Sequence, residues 1–405
     1  MEELIKSLQI SGNVLFLMIG AVMVFAMHAG FAFLEVGSVR KKNQVNACCK
    51  IICDWGISTI VYFLVGFPIA YGISFLRPAS ELFGQTQGFG LVHFFFLLAF
   101  AACIPAIISG GIAERAKFWP QALAGGIFVG LVYPFFESLV WGKNLFLGQK
   151  DSWLAGLCGI PFHDYAGSVV VHSIGGWLAL PAIIILGPRI GRYRGEESLE
   201  IRASSIPFLS AGSWILSVGW FGFNVMSAQS LTGISGLVAL NSLLAMVGGI
   251  IAALIISKND AVFIHNGALA GLIAICAGSD LVHPLGALAI GACGAIIFVF
   301  GFEVETERYR IDDVLGVWPL HGLVGSFGGV AAGIFGQKAL GGIGGISITA
   351  QLIGTGAAVI LALLASILVY SLLKTLVGIR LTEQEELLGA DISIHRIETN
   401  PEESL

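Results

Sequence analysis

Charge is scarce in this sequence. Of its 405 residues, 12% are Asp, Glu, Lys or Arg, about half the share found in soluble domains, and 28 phenylalanines stand against 7 tyrosines. A chain with so few polar side chains cannot cover a globular surface with them. A soluble enzyme and a disordered regulator are therefore disfavoured, and the mean hydropathy of +0.88 indicates a protein embedded in a lipid bilayer.

Several kinds of site also lack the residues that they need. The seven cysteines lie mostly in or beside apolar segments, with only Cys158 in an outer connection, so they do not indicate a disulfide framework. No metal-ligand cluster and no nucleophile with a base is visible in the sequence. We therefore expect no metal, no cofactor and no enzyme activity. No basic run is long enough to predict binding of nucleic acid.

Long apolar windows dominate what remains. A membrane-spanning helix needs about 20 residues with few or no charges. Windows free of Asp, Glu, Lys and Arg cover 7–34, 55–76, 82–113, 118–136, 165–188, 203–257, 261–279, 281–302, 314–337 and 339–373. The window 203–257 holds two helices, divided by a polar turn near residues 227–235. Barrel strands are shorter and alternate, so we predict an all-α integral membrane protein with eleven transmembrane helices.

Lysine and arginine are distributed unevenly between the two sides of such a bundle. If the N-terminus lies outside, sixteen of the 21 basic residues fall in inner loops or on the tail side. Cytoplasmic loops carry this excess. We therefore expect a multi-pass protein of the cell (inner or plasma) membrane, with the N-terminus outside and the C-terminus in the cytoplasm.

Two segments of the chain match each other without gaps. Residues 164–176 and 313–325 both have the pattern D-x2-G-x4-H-x3-G. In the predicted topology they run in opposite directions, which indicates an inverted five-plus-five repeat. Repeat one covers about 7–188, repeat two about 203–337, and an eleventh helix about 346–378 completes a membrane domain of residues 1–378. Residues 379–405 form a cytoplasmic tail.

The matched histidines are the strongest functional signal. Asp164 and Asp313 stand where helix N-caps stand, and eight residues add about 12 Å of helical rise. His172 and His321 are thereby carried into the hydrocarbon zone, where ionisable groups are costly. The alternative is two unrelated core histidines, each hydrogen-bonded to a backbone carbonyl.

A set of motifs resembles a known family. The motifs, in chain order, are MHAGFAFLE (27–35), VRKKN (39–43), GIAER (111–115), the 164–172 segment, GWFGFN (219–224), GALAGL (267–272) and HG (321–322). Together they resemble the ammonium transporter (Amt/Rh) family, in its Amt branch, over nearly the whole chain. The resemblance implies a homotrimer whose subunits each conduct ammonium or ammonia.

The resemblance also implies roles for single residues. They are an outer ammonium site at Trp141, Phe100, Ser227 and Phe96, a gate of Phe100 and Phe223, twin histidines His172 and His321 in the pore, and Asp164 as a structural group near the outer site. Taken alone, the phenylalanines are typical of packing. Trp141 alone is also typical of an interfacial aromatic belt.

The implied mechanism is recruitment of ammonium, deprotonation, and passage of ammonia with or without a relayed proton. Two alternatives remain: a membrane ammonium sensor that signals through its tail or a partner, and an Rh-like ammonia or carbon dioxide gas channel. A PII-type (GlnK-like) signal protein is a candidate partner at the cytoplasmic face. The tail has Gly-Ala-Asp at 389–391 and His-Arg-Ile at 395–397 where many bacterial members have Gly-Leu-Asp and His-Gly-Glu, which leaves that coupling open.

One acidic segment is interpreted as a surface turn and not as a functional site. Five carboxylates lie close together in the sequence, at Glu303, Glu305, Glu307, Asp312 and Asp313. Because Arg308 and Arg310 lie among them, we expect a solvated, salt-bridged cytoplasmic turn.

Overall fold

The computed structural model describes residues 1–84, 86–144, 148–149, 158–195 and 197–400. Within these ranges nine helices are long and apolar enough to cross a membrane. They are α1 (Glu2–Ser38), α2 (Lys41–Tyr71), α3 (Phe89–Ile112), α4 (Phe118–Val140), α5 (Ser168–Leu186), α6 (Ile206–Ala228), α7 (Ile234–Ile256), α9 (Pro284–Arg308) and α11 (Ile348–Leu376). The chain is thus an all-helical bundle, as predicted.

Two further helical segments complete the series. Apolar helix α8 (Ala261–Ile275) has 15 residues, and α10 joins Trp318–Leu323 directly to Val324–Phe335. The break predicted near 227–235 is confirmed, because α6 ends at Ala228 and α7 begins at Ile234.

Short elements lie in the connections and in the tail. The short helices are Ala79–Gly84, Lys338–Leu340, Glu383–Leu388 and Asp391–His395. Lys143–Asn144 pairs with Gly148–Gln149 and Tyr193–Arg194 with Glu197–Ser198, both antiparallel. The last five residues of the predicted tail, 401–405, lie outside the described residues.

Local sequence signals explain where several helices begin. Helix α8 follows Asp260, whose Oδ1 accepts from the Phe263 amide at 3.0 Å. The Ser347 hydroxyl accepts from the Ala350 amide at the start of α11. Both side chains satisfy backbone donors that an unfinished first turn leaves open. Proline opens α9 at Pro284, where its missing amide costs nothing.

The centre of the bundle is the crossing of α5 and α10. Helix α5 also packs against α3 and α11, while α1 packs along α6 and α7 packs against α8 and α9. The two matched histidines lie on α5 and α10. The fold therefore places them at its middle rather than on its lipid-facing surface.

The acidic segment is not the solvated turn that we expected. Glu305 is 0% exposed, and Asp312 and Asp313 are each 2% exposed, so the prediction is wrong for these three carboxylates. The guanidinium of Arg189 donates to Asp312 from Nε and from Nη2, both at 2.8 Å, and to Glu114 at 2.8 Å. An arginine from a distant part of the chain therefore encloses part of the segment.

Charge pairing and burial shift the acidities of this cluster in opposite directions. Burial acts to raise the pKa of Asp312, but the hydrogen bonds and charge of Arg189 hold that pKa well below its usual range. At Asp313 burial dominates and raises the pKa to about 6. The carboxylate paired with Arg189 therefore stays ionised to a lower pH than its neighbour Asp313.

The tail packs on the same face of the bundle. The Leu381 amide donates to the Arg115 carbonyl, and the Lys117 amide donates to the Ile379 carbonyl, both at 2.9 Å. The Asp391 carboxylate accepts from the amides of Val45 and Asn46, at 3.1 and 2.8 Å. These amides belong to the beginning of α2, so the tail supplies a helix cap from more than 340 residues away.

Candidate functional site

A cavity of about 500 Å³ opens on the face opposite the tail. We call it the vestibule, and its walls include Trp141, Phe100, Phe96 and Ser227. These are the four residues expected at an outer ammonium site. They come from α3, from the residue that follows α4 and from α6, so the fold collects them from distant parts of the sequence.

Hydrogen bonds hold the tryptophan of the vestibule in place. The indole Nε1 of Trp141 donates to the backbone carbonyl of Asp164 at 2.6 Å. The Asp164 carboxylate in turn accepts from the amide of Gly167 at 2.9 Å and from the amides of Val169 and Val170 at 2.8 Å each. Burial raises the pKa of Asp164, while these three donors act in the opposite direction. Both its oxygens are therefore engaged in capping α5.

Two stacked phenylalanines close the floor of the vestibule. The Phe100 and Phe223 rings lie with centroids 3.8 Å apart and planes 8° from parallel, and they are 1% and 0% exposed. Phe96 contacts Phe100 with centroids 4.7 Å apart. The Ser227 hydroxyl donates to the Phe223 carbonyl at 2.7 Å, which leaves its oxygen able to accept a hydrogen bond.

The two histidines lie directly behind this stack. His172 Nδ1 and His321 Nδ1 are 3.2 Å apart, and the His172 ring lies 5.5 Å from Phe223. One imidazole must therefore donate through Nδ1–H while the other accepts. A small cavity of about 20 Å³ lies on the other side, lined in part by His321. The rings form a continuous column from the vestibule into the bundle.

The two repeat segments have the same local structure. Gly167 and Gly316, each three residues after the aspartate, have φ of +100° and +68°, which favours glycine. Each histidine then lies in a wide π-helical turn, at Ser168–Ser173 and Trp318–Leu323. Such turns are rare and are frequent at functional sites.

The glycines that end the two motifs make reciprocal contacts. A Cβ added at Gly176 would collide with the backbone of Gly322, the residue after His321. A Cβ at Gly325 would lie 2.6 Å from the amide nitrogen of Ser173, the residue after His172. Each motif therefore packs its final glycine against the histidine turn of the other.

Three residues at this site were not expected from the sequence. Trp220 stacks on His172 with centroids 5.1 Å apart, and Tyr71 lines the vestibule. Glu137 is buried next to Tyr71. A signal for Glu137 was present, because it ends the charge-free window 118–136, whereas helix α4 continues to Val140.

Comparisons with known proteins give a consistent result. The chain matches the Ammonium Transporter Family over residues 15–400. It is 40% identical to ammonium transporter Amt2 of Methanocaldococcus jannaschii, covering 100% of this chain and 94% of that protein, and 32% identical to ammonium transporter Amt2 of Archaeoglobus fulgidus, covering 97% and 89%.

Solved structures share the fold. A structure described as a sensor Amt protein is similar with a TM-score of 0.86 and 33% identity, covering 96% of this chain and 99% of that one. Mep2 of Candida albicans is similar with a TM-score of 0.79 and 21% identity, covering 93% and 87%. At that identity the second likeness concerns the fold alone.

Proposed function

The chain belongs to the ammonium transporter family, and on that premise we propose how it carries out ammonium transport across a membrane. Ammonium is recruited in the vestibule, loses a proton near the phenylalanine stack, and passes as ammonia along the two histidines. The observation that carries this proposal is the uninterrupted column formed by Phe100, Phe223, His172 and His321.

The vestibule has the chemistry of a cation site. Aromatic faces attract a small cation by about 0.5–2 kcal/mol each where water is thinned, and Trp141, Phe100 and Phe96 supply three such rings in one cavity. The Ser227 oxygen adds an acceptor for an ammonium N–H. Asp164 contributes by ordering Trp141, since its own oxygens are occupied.

An energetic comparison favours ammonia as the species that passes the stack. Moving a monovalent cation into a low-dielectric tunnel costs about 20 kcal/mol in the idealised limit and several kcal/mol after relaxation. Deprotonating an amine with a lysine-like pKa near 10.4 at neutral pH costs only about 5 kcal/mol. In the idealised limit, deprotonation is therefore the cheaper route.

The histidine pair suits a neutral molecule that both donates and accepts hydrogen bonds. One imidazole can donate to ammonia and the other can accept from it. Because the two rings are already hydrogen-bonded to each other, the pair can also pass a proton without a protein rearrangement. The proposal therefore includes ammonia transport with or without a relayed proton.

Removing either imidazole tests the proposed pathway along the two histidines. In proteoliposomes, His172→Ala, His321→Ala and the double variant should each lower ammonium flux at least about tenfold, because losing about 1.4 kcal/mol of stabilisation along a pathway changes a rate tenfold. His28→Leu is the matched control, since His28 is equally buried but lies in α1 against Trp55. Wild-type flux and ammonium selectivity in the histidine variants would contradict the proposed pathway along the two histidines.

A second test addresses recruitment. Trp141→Leu should raise the ammonium concentration for half-maximal transport by about 2- to 30-fold, which corresponds to losing a cation–π contact of about 0.5–2 kcal/mol. Trp214→Leu is the control, because Trp214 is 62% exposed on the outside of α6. An equal response of the two variants would argue for a general effect of the lipid-facing surface.

The finer architecture is also proposed. We take α8 and α10 to cross the membrane with the nine longer helices, which makes eleven spans, and residues 379–405 to be a tail outside the membrane domain of 1–378. The matched aspartate caps, π-helical turns and reciprocal glycine contacts support the inverted repeat. The distribution of lysine and arginine supports a cytoplasmic C-terminus.

Assembly and partners follow the same premise. We propose a homotrimer with one pore per subunit and a PII-type (GlnK-like) protein as a partner at the tail face. A pull-down with and without ATP and 2-oxoglutarate tests the second point. Absence of binding under both conditions would contradict the proposal that a PII-type protein is a partner.

The likeness to a sensor Amt protein supports a second candidate function. A sensor would bind ammonium in the vestibule without conducting it. Ammonium-jump currents in proteoliposomes at two pH values discriminate between the candidates, because a sensor would show saturable binding without sustained flux.

A further inference from the structure

A carboxylate is buried in α4 beside the vestibule with phenols as its partners. Glu137 is 0% exposed. The Tyr62 hydroxyl lies 2.9 Å from its Oε1 and 2.8 Å from its Oε2, and the Tyr71 hydroxyl donates to Oε1 at 3.1 Å. Both oxygens of the carboxylate therefore have a phenol hydroxyl within hydrogen-bond distance.

Two other buried glutamates that the structure describes are each paired with a cation. Glu35 lies 3.1 Å from Lys50, and Glu114 lies 2.8 Å from Arg189. Among the side chains that the structure describes, no ion pair includes Glu137. An ionisable group at membrane depth is expensive and is by default a sign of function, so the absence of a fixed counter-ion there calls for an explanation.

The two tyrosines that contact Glu137 differ in their access to the vestibule. Tyr71 lines the vestibule together with Trp141 and Phe100, whereas Tyr62 is 0% exposed and lies behind the carboxylate. The Tyr71 hydroxyl therefore connects the cavity to Glu137 through a single hydrogen bond.

Asp164, the carboxylate that lines the vestibule itself, is poorly placed to take a proton. Asp164 accepts from three backbone amides, which occupy both of its oxygens. Protonating it would break the cap that begins α5 and that holds the carbonyl beneath Trp141. The same objection does not apply to Glu137, because a phenol can reverse its hydrogen bond and accept from a neutral carboxyl.

We propose that Glu137 is the proton acceptor for ammonium in the vestibule and that Tyr71 carries the proton to it. The inference rests on the proposed ammonium transport. An N–H bond of ammonium breaks and its proton binds the Tyr71 oxygen, while the proton of Tyr71 moves to Oε1 of Glu137. The products are ammonia and a neutral carboxyl. The reverse shift through Tyr71 to water in the vestibule restores the carboxylate.

Other titratable groups surround this relay. Tyr133 of α4 packs against Tyr62 with ring centroids 6.4 Å apart, and His93 of α3 lies 5.5 Å from the Tyr71 ring. The test must therefore separate Glu137 from its neighbours by substitution and not by pH alone.

Glu137→Gln keeps the size of the side chain and removes the site for the proton. In proteoliposomes, two measurements are compared: uptake driven by an ammonium jump at about pH 6, where nearly all substrate is protonated, and ammonia entry at about pH 9. We expect the rate of ammonium-driven uptake at about pH 6 to fall at least about tenfold in the variant. The rate of ammonia entry at about pH 9 should stay within about twofold of wild type. A purely structural role predicts equal losses in both measurements. Weaker attraction of ammonium by the lost charge would also give this split, and Tyr71→Phe, which keeps the charge of Glu137, separates that effect from deprotonation.

Two tyrosine variants form a matched pair. Tyr71→Phe breaks the connection to the vestibule and should reproduce the split of Glu137→Gln. Tyr62→Phe removes a partner that reaches both carboxylate oxygens, but it lies off the route, so it should transport ammonium within about twofold of wild type. A purely structural role for Glu137 predicts that Tyr62→Phe is at least as harmful as Tyr71→Phe.

The outcomes that overturn the inference are specific. Ammonium uptake at about pH 6 that is unchanged in Glu137→Gln and Tyr71→Phe removes the relay and leaves transport intact. Equal losses in both measurements for all three variants make Glu137 a structural group. A wild-type protein without ammonium flux contradicts the proposed function itself.

Discussion

Replacing Gly176 by alanine is expected to abolish ammonium transport. The added methyl group would collide with the backbone of Gly322 and lie 2.8 Å from the carbonyl carbon of His321. Because both neighbours are backbone atoms inside a packed crossing, the helices must separate to admit it. Overpacking of this kind lowers the stability of the folded state by about 1–3 kcal/mol, and we expect a loss near the upper end of that range.

The effect on transport should exceed the effect on folding. Any separation of α5 from α10 lengthens the 3.2 Å contact between His172 and His321, and about 1.4 kcal/mol on a barrier already lowers a rate tenfold. Ammonium flux and thermal unfolding in detergent measure the two effects. Gly126→Ala is the matched control, since its methyl group would meet Ile57 at an ordinary 3.5 Å. Equal flux in the two variants would show that the crossing tolerates expansion.

Removing Arg189 is expected to cause the largest loss of stability. Arg189→Met keeps the length of the side chain but leaves Asp312 with only its longer contact to Arg192, at 3.6 Å. It also deprives Glu114 of one of its two cations, the other being Arg40. Breaking a buried ion pair by removing one partner costs about 3–5 kcal/mol of stability. Thermal unfolding of the purified protein measures this loss, and Arg189→Met combined with Asp312→Asn should recover part of it.

The pH dependence of this variant has a defined sign. In the wild type, the pKa of Asp312 is lowered, so its contribution to stability is present above the unfolded pKa of about 3.9 and is lost as pH falls through the folded value. In Arg189→Met, the loss of the hydrogen bonds and charge of Arg189 leaves burial opposed mainly by the longer contact to Arg192, so the pKa of Asp312 should rise and acidification should stabilise the variant. The difference in unfolding free energy between the wild type and Arg189→Met should therefore become smaller from neutral pH to about pH 5. A difference that stays constant or widens would mean that Asp312 is not the group responsible.

The sequence predicts the elements of the bundle better than the contacts between them. Apolar windows predicted the long helices, including the break between α6 and α7, because bilayer thickness imposes a length that can be counted in residues. The matched D-x2-G-x4-H-x3-G segments predicted that His172 and His321 belong together. The 3.2 Å distance between their Nδ1 atoms depends on two turns of unusual width, which no residue pattern specifies.

Long-range partners explain the prediction that was wrong. Asp312 looked solvent-exposed because Arg308 and Arg310 are near it in sequence, yet its main partner is Arg189, 123 positions away. Glu137 was overlooked for a related reason. A charge at the edge of an apolar window resembles a loop residue, and only the path of α4 shows that it lies inside the bundle.

The parallel Phe100 and Phe223 rings have a consequence for the cell as a whole. With centroids 3.8 Å apart, they leave no space for the unbroken file of water along which hydronium would leak. On the proposed mechanism, a cell can hold many copies of such a protein in one membrane without dissipating the proton gradient across it.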